Sequence, residues 1–255
     1  MSRYRFFSIT TRILESIKQI IIANLESSGI ITEKLTTLRL LQIILALGSI
    51  VVFTIAKPFL SITFVWSYAI VHFLFRHIFL FTSFTPTGIA YQLKKRFGEN
   101  KAAEIYEFFT AFSFFHRSYS YVLLIEFTAF QGIAFLIPYQ PALQGIGNVL
   151  GAIGIIINTW CFLIIKRDTY YYMDMFWGKF LVEFKQEGPY EIMKNPMYSL
   201  GQLPSYGAAL ALFSIPGLIF TLLNQICCYL FYYNFELPHI KRLLAEEVTL
   251  AVKKI

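Results

Sequence analysis

Six apolar runs fall into three pairs, each pair joined by a turn rich in proline or glycine and too short to hold a domain. Residues 40–56 pair with 59–74 across Lys57-Pro58, and 119–137 pair with 146–165 across the segment PYQPALQG. Residues 200–214 pair with 217–233 across Pro216-Gly217. Each pair reads as a helical hairpin. The third is short, because crossing a bilayer takes about 20 helical residues. Its helices are expected to be kinked, tilted or partly inserted, with Pro204 at a kink. The expected fold is all-α: a polytopic membrane protein of about six transmembrane helices arranged as three hairpins.

Composition agrees, since 56% hydrophobic residues, 18% aromatics and a mean hydropathy of +0.58 exceed what a soluble domain buries. Cys161, Cys227 and Cys228 all lie in apolar runs and offer neither a disulfide framework nor zinc-ligand spacing. No metal site is expected. The formal charge of +7 is scattered around the hydrophobic runs rather than gathered on one polar face, which argues against nucleic acid and for anionic lipid headgroups. Of the 22 basic residues only Lys57 sits at a turn on the far side. The others, at 3–39, 76–117, 166–194 and 241–254, share one face in the six-helix scheme. Lys and Arg collect on the cytosolic side, so both termini are expected in the cytosol.

Residues 1–36 read as an N-terminal amphipathic interfacial segment and 37–255 as a single membrane domain. Ile13, Leu14, Ile17, Ile20, Ile21 and Leu25 recur at helical spacing, with Arg12, Glu15, Lys18 and Glu26 on other faces. Residues 1–14 hold three arginines and no acid, which also suits a transit segment, but the segment is kept in the mature chain. Between the first two hairpins a charged patch around Gly98 precedes a helical pattern at Ala103, Tyr106, Phe109 and Phe112, expected to be a cytosolic loop and surface helix.

The segment GPYEIMKNPMYSLGQLPSYG, residues 188–207, sets two proline turns and several tyrosines against a hydrophobic run, which suits a site at a membrane surface. It resembles the motif of the membrane-embedded phospholipid methyltransferases, relatives of the isoprenylcysteine carboxyl methyltransferases. The matching positions are Gly188, Tyr190, Asn195, Pro196, Tyr198 and Gly201, with Asn195 where many relatives carry histidine. The Pro-Met-Tyr-Ser run followed by Tyr206-Gly207 is most similar to the phosphatidylethanolamine N-methyltransferases. Two flanking stretches extend the likeness: WCFLIIKRDTYYYMDMFWGKFLV at 160–182, and Phe235-Glu236-Leu237-Pro238-His239. The resemblance covers about residues 148–244. It implies S-adenosylmethionine as cofactor, held by the motif residues and Glu236, and phosphatidylethanolamine as acceptor. It also implies the endoplasmic reticulum as compartment and an active site facing the cytosol.

Methyl transfer is an in-line displacement on a sulfonium and needs alignment above all. Holding the reactants about 3 to 3.5 Å apart supplies roughly 7 to 11 kcal/mol of the barrier, with no metal or covalent nucleophile. Sulfonium and ammonium are both cations, so aromatic faces and limited carboxylate charge are required. Tyr170, Tyr171, Tyr172, Tyr190, Tyr198 and Tyr206 are available. One ammonium proton must leave before attack, and Asp174 and His239 are the candidate acceptors. Glu236 and His239 also fit a plain helix end at the interface, where charged groups stay wet.

Glu126 and His72, inside apolar runs, are ionisable groups at membrane depth and are read as functional or structurally paired. Methylation of a prenylated cysteine carboxylate would share the cofactor site, but Pro-Met-Tyr-Ser and Glu-x-Pro-His argue against it. A sterol-type NADPH reductase would carry a C-terminal Arg, Cys and Trp signature that is missing. A non-catalytic lipid-binding protein would need none of the polar motif.

Overall fold

The computed structural model describes residues 2–31, 35–131, 134–181 and 187–252, and among these the regular structure is helical with no strand. Helix α1 spans Ser2–Ser27, α2 Thr37–Ala56, α3 Ile62–Ser83, α4 Ile89–Phe97 and α5 Glu99–Phe127. They are followed by α6 (Gln140–Tyr170), α7 (Met173–Trp177), α8 (Pro189–Ile192), α9 (Leu203–Ala211), α10 (Ile215–Phe231) and α11 (Leu237–Val252). Among the described residues, four stretches are long and apolar enough to cross a membrane: Thr37–Phe59, Ile62–Ser83, Leu136–Trp177 and Ile215–Glu246.

Local chemistry fixes the helix starts. The Thr36 hydroxyl accepts from the Arg39 amide at 3.3 Å, Ser61 from Phe64 at 3.1 Å and Ser214 from Gly217 at 3.0 Å, each satisfying an orphan donor of a first turn. The first hairpin turns where expected, through Lys57–Phe59. The second does not. Residues 119–127 end a helix that begins at Glu99, so the expected surface helix and third span are one element whose Tyr106 and Glu107 are buried. Helix α5 ends at Phe127 and α6 starts at Gln140, so most of the expected turn opens α6, because Pro141 lies in the first turn, where a missing N–H costs nothing. Pro204 behaves alike: it lies in the first turn of α9 and starts that helix rather than kinking it. Instead the kink falls in α6 at Lys166, whose φ of 59° breaks the ladder before the chain enters Tyr170–Tyr172.

Because lipid is as apolar as Leu, the exposed Ile44, Val52 and Ile55 gain nothing by turning inward, and helix association falls to close packing and polar contacts. Helices α6 and α9 show the first. A Cβ on Gly207 would lie 2.5 Å from the Gly147 carbonyl oxygen, and one on Gly154 would lie 2.5 Å from the Pro204 nitrogen. Gly147 is thus a packing residue. The second appears where the Tyr121 hydroxyl donates to the Ser205 carbonyl at 2.7 Å, and where Thr128 and Ser214 hydroxyls meet at 2.7 Å. Buried Glu107 draws three elements together, pairing with Arg39 of α2 and, at 2.5 Å, with Arg167 at the end of α6. Glu126 is structurally paired: it lies near the end of α5, 37% exposed, 2.8 Å from Lys57 at the tip of the first hairpin. His72 stacks on His116 at 5.0 Å between ring centroids.

Along α1, Leu14, Ile17 and Ile21 are exposed, while Ala23 is buried and the Asn24 amide donates to Thr159 of α6 at 3.0 Å. The main aromatic core, which includes Tyr106, Phe176 and Phe231, lies where α4, α5, α7 and α10 meet. It forms the floor under the site.

Candidate functional site

One cavity of about 900 Å³ opens among α3, α5, the end of α6, the motif loop, α10 and α11. Of the residues expected in a site, Tyr190, Asn195, Tyr198, Gly201, Glu236, Asp174 and His239 all line it. Gly188 and Pro196 stand behind the wall. Gly188 has φ +56° and ψ −124°, which only glycine adopts readily, and a Cβ there would lie 2.6 Å from the Trp160 ring. The glycine is thus what lets the motif loop lie on α6. Pro196 is fully buried, and its carbonyl accepts from the Gly201 amide at 2.8 Å while Ser199 caps Asn195 at 3.0 Å. This tight turn points Tyr198 inward.

Tyr198, only 8% exposed, donates its hydroxyl to Glu236 Oε2 at 2.6 Å and meets the Tyr172 hydroxyl at 2.9 Å. Burial, then the adjacent Glu236 carboxylate, hold the Tyr198 phenol well above its ordinary range, so it stays protonated and serves as donor. Tyr190 is raised by burial and then by Cys161 and Glu236. Glu236 closes a π-turn over Tyr232–Glu236 between α10 and α11, an irregularity that re-aims side chains and recurs at functional sites. Tyr172, in the left-handed region at φ 59°, is directed inward by the same means at the start of α7.

Asp174 is 9% exposed and its two oxygens are engaged, accepting from the Thr169 hydroxyl at 2.9 Å and the Leu181 amide at 3.3 Å. His239 Nδ1 lies 3.3 Å from Arg242, while its buried Nε2 has no partner among the described residues. Of the aromatic candidates, Tyr170, Tyr172, Tyr190 and Tyr198 line the cavity. Tyr171 and Tyr206 do not. The first donates to the Ser27 carbonyl at 3.1 Å, and the second to Gln225 at 2.7 Å.

Sequence reasoning missed Arg76, Phe114, Arg117, Asn158, Asn224 and Tyr232, all of which line the cavity. Arg76 alone carried a local signal, as a charge inside an apolar helix. An aromatic, mostly apolar chamber lined also by Asp174, Glu191 and Glu236 can hold a cation by ring faces and negative charge.

Residues 143–247 match the family model for phospholipid methyltransferase, so that region is similar to that family. Three curated relatives bear the name phosphatidylethanolamine N-methyltransferase. The Malassezia globosa protein is 29% identical over 159 residues, covering 57% of this chain and 16% of that one. Those of Aspergillus fumigatus and Fusarium vanettenii are 28% and 27% identical, each over 63% of this chain, and 19% and 18% of their own lengths. The chain therefore spans less than a fifth of the curated relatives it matches. No solved structure matches.

Proposed function

We propose that this chain is a membrane-embedded methyltransferase that transfers methyl groups from S-adenosylmethionine to the amine of phosphatidylethanolamine, a step toward phosphatidylcholine. The observation that carries the reading is that Tyr190, Asn195, Tyr198 and Gly201 of the motif share one cavity with Glu236, far away in sequence. The cavity also fits the donor's chemistry: it is lined by Tyr170, Tyr172, Tyr198 and Tyr232 around the Glu236 carboxylate, with His239 Nε2 unpartnered among the described residues. When bound, S-adenosylmethionine supplies a methyl on a sulfonium whose sulfur takes the electron pair as the amine attacks.

The chain's own residues bind, orient and take up a proton. Tyr190, Asn195, Tyr198, Gly201 and Glu236 hold the donor, with Gly188 and Pro196 shaping the loop that presents them. Tyr198 fixes the Glu236 carboxylate through its 2.6 Å hydrogen bond. Asp174, both oxygens engaged, orders the entry to α7, and His239 accepts the proton from the ammonium at Nε2 in the tautomer that carries its hydrogen on Nδ1 and gives up the Arg242 contact, leaving the lone pair free. Phe114 and Tyr170 help exclude water from the reacting pair.

The surrounding architecture is read as six membrane passes in three hairpins, α9 being a partial one, with both termini in the cytosol. Residues 1–36 lie along the interface, 37–255 form the membrane domain, and 148–244 form its catalytic region. The lone far-side basic residue, Lys57, beside Glu126, supports this orientation. The compartment is the endoplasmic reticulum, with the site facing the cytosol. Purified protein in detergent, given labelled S-adenosylmethionine with phosphatidylethanolamine or a prenylated cysteine in separate reactions, tests the reading. Label in monomethyl-phosphatidylethanolamine is expected, and label in a methyl ester or in neither acceptor refutes it.

A further inference from the structure

Four arginines lie at the interior of this bundle, and they divide by partner. Arg39 and Arg167 both pair with Glu107. Arg76 of α3 and Arg117 of α5 line the cavity instead, and neither pairs with a carboxylate among the described residues. Arg76 is 6% exposed, its guanidinium lies 3.6 Å from the centroid of the Phe114 ring, and its buried Nε and Nη1 have no hydrogen-bond partner among the described residues. The two cavity arginines are close enough for their charges to act on one another. Two like charges in a half-buried wall, one with orphaned donors, are costly unless an anion completes them.

We propose that Arg76 and Arg117 form an oxyanion-binding pair that receives the phosphodiester of a zwitterionic phospholipid. The identity of the lipid rests on the methyltransferase reading above; the pair itself does not. Guanidinium forks suit an oxyanion because they donate in parallel to two of its oxygens. Charges of both signs flank one ring, since the Arg76 and Glu236 charges both act on the Tyr172 phenol. A phosphate at the arginines therefore directs an ethanolamine amine, on its short spacer, toward the Glu236 side where the motif residues gather. The donor's carboxylate has the same chemistry, and the donor Kd separates the two. Arg76 stands seven residues before the end of α3 at Ser83, about 10 Å inside that end along the axis, so the headgroup enters the cavity to reach it. Neither arginine lies in the segment that matches the family, residues 143–247. The front of the chain thus supplies acceptor recognition to a site whose motif residues and Glu236 come from the back.

The test is Arg76→Gln and Arg117→Gln, each with a Lys counterpart, in purified full-length protein. We expect the KM for dioleoyl-phosphatidylethanolamine in mixed micelles to rise at least tenfold in the Gln variants and less in the Lys variants. The S-adenosylmethionine Kd, read by calorimetry, is expected to stay within twofold. An unchanged KM overturns the pair, and a raised donor Kd with unchanged KM overturns the assignment to lipid. Should the unmodified protein methylate no phosphatidylethanolamine, the catalytic reading fails while the pair remains testable by native mass spectrometry of the same lipid bound to the protein. Retention lost in the Gln variants supports it, and equal retention refutes it. The Lys variants keep the charge, so they answer where a Gln variant does not fold.

Discussion

Replacing Tyr198 with Phe removes one oxygen and severs two contacts of unequal kind. The bond to Glu236 is 2.6 Å long, in the range of a hydroxyl donating to a carboxylate, whereas the 2.9 Å contact with Tyr172 joins two neutral phenols. A hydrogen bond to a charged group contributes about 1.5–3 kcal/mol and a neutral one about 1 kcal/mol. At about 1.4 kcal/mol per factor of ten, Tyr198→Phe should weaken donor binding roughly 10- to 150-fold, because Glu236 is left buried without its orienting partner. Tyr172→Phe removes only the neutral contact and should cost about fivefold. Calorimetric titration of each purified variant with S-adenosylmethionine separates the two, with circular dichroism confirming helicity. If Tyr172→Phe costs as much as Tyr198→Phe, or if Tyr198→Phe leaves the Kd unchanged while Glu236→Ala abolishes binding, the phenol does not orient the carboxylate.

Gly188→Ala should cost on the order of 1–3 kcal/mol, since it places a side chain at φ +56° against Trp160; thermal melting in detergent should fall by several degrees, and Trp160→Ala should recover part of the loss. Glu107→Gln leaves Arg39 and Arg167 buried without their anion and should destabilise by about 3–5 kcal/mol. Glu126→Gln breaks only the half-exposed Lys57 pair and should change melting by less than about 1 kcal/mol, so equal effects would refute the distinction. Gly154→Leu cannot fit against Pro204 and should lower the melting temperature more than Gly145→Leu, whose Cβ meets open space.

What the sequence disclosed depended on how local the determining interaction was. The first hairpin was legible because two apolar runs and a Lys-Pro turn settle it within a few residues, and the turn formed at Lys57–Phe59. The second was misplaced because Pro138 and Pro141 read alike as breakers, whereas Pro141 opens a helix; the outcome is set by which residue's N–H is already unsatisfied, a property of the helix start and not of proline. The motif's convergence with Glu236 was visible only through family likeness, since nothing local in Glu236 says that a π-turn will aim it at Tyr198. Arg76 and Arg117 show the same limit from the other side. Arg117 reads alone as one more basic residue near a membrane face, as Arg39 and Arg167 do, and only Arg76 stands out, as a charge inside an apolar run. Only the fold separates them, by placing Glu107 between one pair and a cavity before the other. Charge in a membrane protein is therefore informative in proportion to what has been denied it. An arginine that has its carboxylate holds helices together, and one left without a carboxylate is available for a ligand.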